Sequence, residues 1–365
     1  MINVGADVRK RREAFGFSAV ELADLAVLPE ERLLAIEAGK VQPTTSDLGL
    51  LADALACNAA DLAHGVADDP RRSVARFRGA ITSALPSAHD LRLLARAAEA
   101  GRILASLRAH LGETLEALRN LRTPSAPSPA MEPWEHGYQL GIASRERLDR
   151  SLAALPSVQG FLEALGVHVA DVDFENAAIE AASLYEVGAA PVILINRRAT
   201  KYGYPLARRA ILAHEVCHLL NDGGERNLTV VSLETDSSPI EQRANGFAPS
   251  FIAPGPWVSL RSGEPTAMAL ELATTWGFSF EGAAWHLKNL RLIDPDVAER
   301  LCDLKRKPRI DVAFEQPLNR TPPDQFGVEG EPSRLVLGLV SETAIIAAAE
   351  GVISRGRAAE ILALQ

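Results

Sequence analysis

Along most of the chain apolar residues recur at steps of three and four, the helical period; only a central stretch breaks that rhythm. Between residues 4 and 66 the groups Leu22, Leu25 and Ala26, then Leu33, Leu34 and Ile36, then Leu48, Leu51 and Leu55 are separated by Gly and Pro. That pattern predicts five short helices in an all-helical module over residues 1–66. An Arg-rich stretch follows (Arg71, Arg72, Arg76, Arg78), and after Pro86 a long helix is predicted to about Leu121. In it Leu104, Leu107, Leu111, Leu115 and Leu118 form a stripe. The stripe spans too few heptads for a coiled coil, so it reads first as packing on its own domain and second as a homodimer seam. Residues 67–122 are therefore a helical arm.

Thr123 to Pro133 concentrates Pro, Ser and Ala without periodicity and marks a linker at 123–133. Beyond it the pattern predicts a helix from Trp134 to Leu155 and another through Phe161 and Leu165. Three β-like runs come next: Val167 to Val172, Ile179 to Tyr185 and Val192 to Ile195. This is an α+β region, taken here as residues 134–300. A second Pro-rich polar stretch, Gln316 to Ser333, precedes helices at Leu335 to Glu350 and Ser354 to Leu364, a small cap within residues 301–365. The expected architecture is multidomain and mainly α.

Composition narrows the class. The 365 residues are 47% hydrophobic and 23% charged, proportions that suit a folded chain with a proper core. No apolar run approaches the roughly 20 residues of a membrane span, and the first residues lack a signal peptide's apolar stretch. The expected location is cytoplasmic, with no membrane partner. Cys57, Cys217 and Cys302 are scattered singly, so any metal must be held by His and carboxylate. A net charge of −9 argues against a chain devoted wholly to coating nucleic acid.

The chemistry gathers in ARRAILAHEVCHLLNDGG, where a helix beginning near Pro205 runs to Leu220 before Asn221, Asp222, Gly223 and Gly224 stop it. Four residues make about one turn, so His214 and His218 project from the same face and can share one zinc ion. Glu215, one residue on, stands beside the water such an ion would bind and is the candidate general base. Cys217 points about 80° away from the midline between the two histidines and reads as a small core residue. A catalytic zinc wants a third protein ligand. The candidates are Asp222, Glu225, Glu234, Asp236, Glu241 and His286. Glu241 is favoured because SPIEQRANGFAPSFIAP opens a second helix that can pack back on the first; Asn245, at i+4, would then orient a ligating histidine. Asp222 reads as a helix cap. Tyr202, Tyr204, Arg209 and His286 are candidate oxyanion helpers, among which spacing does not choose.

Ala213 to His218, followed by Glu241, Ala244, Asn245, Phe247, Ala248 and Pro254, resembles the AHExxH and later ExxAN-FA segments of the ImmA/IrrE metallopeptidases. VILINRR (Val192 to Arg198) and WGFSFEGAAWHLKNLRLID extend the likeness over about residues 137–300. The resemblance implies a zincin-like domain holding one zinc ion per chain, with Glu241 as third ligand. Two departures are Cys217, where the family commonly has a small residue such as Gly, and Asn221-Asp222 in place of the more usual hydrophobic-then-His ending.

The N-terminal module resembles an XRE-type helix-turn-helix, most specifically through Ile36, Glu37, Gly39, Lys40 and Pro43. That resemblance implies DNA as a partner, with Arg9, Lys10, Arg11 and Arg12 as candidate phosphate contacts. Against it, residues 1–66 carry six Lys/Arg and ten Asp/Glu, a formal charge of −4. The expected function is a regulatory zinc endopeptidase that cuts a protein partner such as a repressor or antitoxin in stress response, mobile-element control or defence. The alternative is a DNA-binding transcriptional regulator whose zincin-like domain is a sensor.

Overall fold

The computed structural model describes residues 4–15, 17–55, 59–64, 87–113, 130–149, 151, 153–185, 188–222, 228–232, 238–305 and 338–363. The N-terminal module is five helices: α1 (Val4–Phe15), α2 (Ala19–Leu25), α3 (Glu30–Glu37), α4 (Thr45–Ala54) and α5 (Ala59–His64). α2 starts where sequence chemistry demands it. Ser18 Oγ accepts the Glu21 N–H at 3.2 Å and the Ser18 N–H donates to Glu21 Oε2 at 2.6 Å, a reciprocal capping box. Val8, Leu22, Leu33, Ile36, Leu51 and Leu55 form the module's buried centre.

α6 (Ala88–His110) carries the leucine stripe. Its Ile103, Leu104 and Leu107 share a core with Val340, Ala344, Ala347 and Ile361 of the two C-terminal helices. The described part of the stripe is thus covered within the chain. The helix expected to reach Leu121 stops at His110, where Gly112 takes φ 76° and the Glu113 N–H returns to the Arg108 carbonyl. Leu115, Leu118, the Arg71 to Arg78 stretch and the Gln316 to Ser333 stretch lie outside the described residues.

The central region opens with α7 (Pro133–Leu148) and α8 (Val158–Ala164), followed by β1 (His168–Val172), β2 (Ile179–Leu184) and β3 (Val192–Asn196). α7 ends seven residues before the expected Leu155, because the Arg145 guanidinium turns the chain by bonding the Asp149 carboxylate and the Ala153 carbonyl. Then come α9 (Pro205–Asn221), a fourth strand β4 (Leu228–Ser232) that alternation did not flag, and α10 (Pro239–Ile252). α11 (Pro265–Trp276), α12 (Phe280–Asn289), α13 (Pro295–Lys305), α14 (Leu339–Ala349) and α15 (Arg355–Ala363) complete it.

The sheet order is β1-β3-β2-β4, with β1 parallel to β3 and the other pairs antiparallel. All of β3 is buried, which explains its uninterrupted apolar sequence. Ile193 and Ile195 face a core built with α9, α10, α11 and α12, while Val192 and Leu194 face the core that reaches α6 and the N-terminal module. α9 lies on the first face; its residues from Ile211 to Asn221 are buried without interruption. Among the described residues no helix is long and apolar enough to cross a membrane.

Candidate metal centre

Two helices deliver the site. α9 begins with Pro205 at its first turn and carries His214, Glu215 and His218 one turn apart. α10 is capped by Ser238, whose Oγ accepts the Glu241 N–H at 3.2 Å, so the cap fixes the turn that bears Glu241. α10 also crosses α7 at very short range. A Cβ on Gly137 would lie 1.8 Å from the Arg243 carbonyl oxygen, and one on Gly246 would lie 2.1 Å from that of Trp134. Only glycine permits this approach.

The result is a compact buried cluster. His214 Nε2 lies 3.0 Å from Glu241 Oε2 and 3.0 Å from His218 Nε2, and His218 Nε2 lies 3.7 Å from Glu241 Oε1. One ligand atom from each of the three residues falls within 4.8 Å of the others. Both Glu215 carboxylate oxygens are buried and have no hydrogen-bond partner among the described residues. Unpartnered buried carboxylate oxygens are costly, and beside convergent imidazole nitrogens they mark a place built for something else. Burial pushes the Glu215 carboxyl above its ordinary range, against the pull of His218 and His214. Burial opposes charge on His218 and on Glu241 as well. Their mutual contacts and Asp222 nonetheless lift His218 to about 10 and hold Glu241 down to about 2. The cluster favours a positive charge at its centre, as a site of two histidines and acidic groups for a divalent cation should.

Asp222 is the C-cap of α9, as its sequence reading has it, and it also has a second place at the site. Its Oδ2 accepts from His218 Nδ1 at 2.5 Å, and its Oδ1 accepts from the Arg243 Nη2, a fully buried guanidinium. The signal was present in the spacing: Asp222 is four residues beyond His218, as His218 is beyond His214. Asn245, expected in that orienting role, is exposed. The buried stripe of α10 follows Glu241, Ala244, Ala248 and Phe251, which leaves i+4 on the rim.

The expected oxyanion helpers are mostly committed elsewhere. Tyr202 donates its hydroxyl to Asp171 Oδ2 at 3.1 Å, and Arg209 donates to the carbonyls of Leu155 at 2.9 Å and Trp276 at 3.1 Å. Tyr204 is exposed just before α9. His286 is fully buried; its Nε2–H donates to the Ala253 carbonyl at 2.8 Å and its Nδ1 accepts from the Tyr138 hydroxyl at 2.9 Å. It is therefore neither ligand nor helper. Of the other ligand candidates, Glu225, Glu234 and Asp236 lie outside the described residues. Cys217 is a buried core thiol, with its pKa pushed up by burial.

In the N-terminal module three of the four candidate phosphate contacts are engaged internally. Arg9 pairs with Glu13 at 2.8 Å, Arg11 with Asp7 at 3.0 Å, and Arg12 forks onto Glu37 at 2.7 and 2.9 Å. Lys10 is half-buried.

Comparison with known proteins agrees with this division. Residues 8–62 match the helix-turn-helix family, which implies DNA binding, and residues 162–288 match the IrrE N-terminal-like domain family, which implies a protein substrate. No curated protein and no solved structure matches the chain. The second match contains the whole buried cluster, so residues 162–288 are an IrrE N-terminal-like metallopeptidase domain, joined in one chain to a helix-turn-helix domain.

Proposed function

We propose that this chain is a zinc-dependent regulatory endopeptidase that cleaves a specific protein partner of the repressor or antitoxin kind. The observation that carries the reading is the convergence of His214, His218 and Glu241 beside the orphaned carboxylate of Glu215. In this reading residues 134–300 are the catalytic domain, residues 1–66 and the arm at 67–122 recruit the partner, and residues 301–365 cap the molecule.

His214 and His218 would hold the ion through Nε2 and Glu241 through its carboxylate. A bound zinc ion supplies Lewis acidity, making a water more acidic and a peptide carbonyl more electrophilic. Glu215 accepts a proton from the attacking water on a carboxylate oxygen and delivers it to the nitrogen of the leaving amine. That carboxylate is fully enclosed, and among the described residues only the Ser183 hydroxyl exerts a hydrogen-bonding pull on it, so its oxygens remain available to the water. No covalent acyl-enzyme is required.

Glu215→Gln separates this reading from the alternative. The variant should keep its zinc and lose cleavage by at least about a hundredfold, and with it any regulatory phenotype. The helix-turn-helix match favours a second reading, a transcriptional regulator whose peptidase domain only senses. A phenotype that survives Glu215→Gln would select that second reading.

A further inference from the structure

Asp222 and Arg243 stand one step outside the candidate ligands and do nothing that the peptidase reading has yet used. Asp222 closes α9, and its two carboxylate oxygens are divided: one takes the His218 Nδ1–H at 2.5 Å, the other takes the Arg243 guanidinium. Arg243 lies two residues beyond Glu241 on α10 and is fully buried. The helix that brings the carboxylate ligand thus also brings a cation that pins the partner of a histidine ligand.

An imidazole offers a lone pair at only one nitrogen when neutral, and the hydrogen bond at the other decides which. With Asp222 accepting at Nδ1, the lone pair of His218 is left at Nε2, the atom that faces His214 and Glu241. A carboxylate so close to the centre has two competing options: to rotate toward the cation itself, or to swing outward. The guanidinium on Oδ1 opposes both.

We infer that Asp222 and Arg243 are a positioning pair for the metal ligand His218, fixing its Nε2 lone pair toward the ion. The inference rests on the metallopeptidase reading and deepens it by assigning a role to two residues outside the ligand set.

The test uses the full chain, titrated with Zn²⁺ against a chelating indicator. Asp222→Asn should raise the zinc dissociation constant about 10- to 100-fold with circular dichroism unchanged, while the metal-free melting temperature falls because the buried Arg243 loses its counter-charge. Because the two residues act as a unit, the double variant with Arg243→Met should lose no more affinity than Asp222→Asn alone. A purely structural pair would not move the next readout. In the zinc-loaded wild type the His218 Nδ1 proton should give a slowly exchanging nitrogen-bound resonance, and in Asp222→Asn that protection should vanish. Affinity within twofold of wild type, additive losses in the double variant, or a retained Nδ1 resonance would each overturn the pair. A wild-type chain that binds no zinc would instead remove the metal reading, and this inference with it.

Discussion

His286 shows how a single side chain is spent on structure. The Ala253 carbonyl can only accept, so Nε2 carries the proton and Nδ1 takes the Tyr138 hydroxyl hydrogen. A second proton would have to displace that hydrogen and place a charge where no solvent reaches. Burial accordingly pushes the imidazole down to about 4, from an ordinary value near 6.5. Between those two pH values the unfolded chain binds the proton and the folded chain does not. Stability from this residue is therefore full above pH 6.5 and falls as the pH drops, by on the order of 3 kcal/mol once pH 4 is reached. Urea unfolding of wild type and of His286→Gln between pH 7 and 4.5 should show a shallower slope in the variant. Parallel slopes would mean that the acid sensitivity lies in other groups.

At the scale of elements the decisive contact is the crossing of α7 and α10. Gly246→Ala would place a Cβ 2.1 Å from a backbone carbonyl, which cannot rotate away. Overpacking of that kind costs about 1–3 kcal/mol and outweighs the helix-propensity gain of about 1 kcal/mol. The expected outcome is a net loss of up to about 2 kcal/mol in chemical denaturation, together with weaker zinc binding because α10 also carries Glu241. Gly49→Ala on α4 is the control: nothing lies within 4 Å of its Cβ, so it should stabilise by up to about 1 kcal/mol. If both substitutions stabilise, the helix crossing is looser than it stands here. The same crossing explains what the sequence could and could not yield. The five short helices and α9 were legible because a 3.6-residue period and end signals are local properties. β4 was not, since five residues without alternation become a strand only by pairing with β2. Gly137 and Gly246 carry no local sign of the helix each one touches. The trio of His214, His218 and Glu241 followed from spacing and resemblance. The partner of His218 was legible only in the four-residue step from His218 to Asp222 on α9, whereas the exposure of Asn245 depends on how α10 is rolled against α9.

Across the whole molecule β1, β2 and β3 are buried between two cores, and among the described residues the His214, His218 and Glu241 cluster lies on one face of them. The core on that face is assembled from α9, α10, α11 and α12 around a cluster in which three carboxylates and two imidazoles crowd together. Such a centre opposes folding when nothing neutralises it, since buried charge without compensation is costly. A cation held by His214 and His218 from α9 and Glu241 from α10 would turn that liability into a cross-link between the two helices. Ligand linkage sets the size of the effect: a metal present at a thousandfold over its dissociation constant stabilises the folded state by about 4 kcal/mol. For a unit of this size that corresponds to roughly 10 °C in melting temperature. Calorimetry of the full chain with excess zinc and then with chelator should show that shift. His218→Ala should show little or none, because one ligand and its link to Asp222 are gone. If wild type melts at the same temperature with and without zinc, the cluster is stabilised by its internal hydrogen bonds alone, and α9 and α10 are held together by packing rather than by an ion.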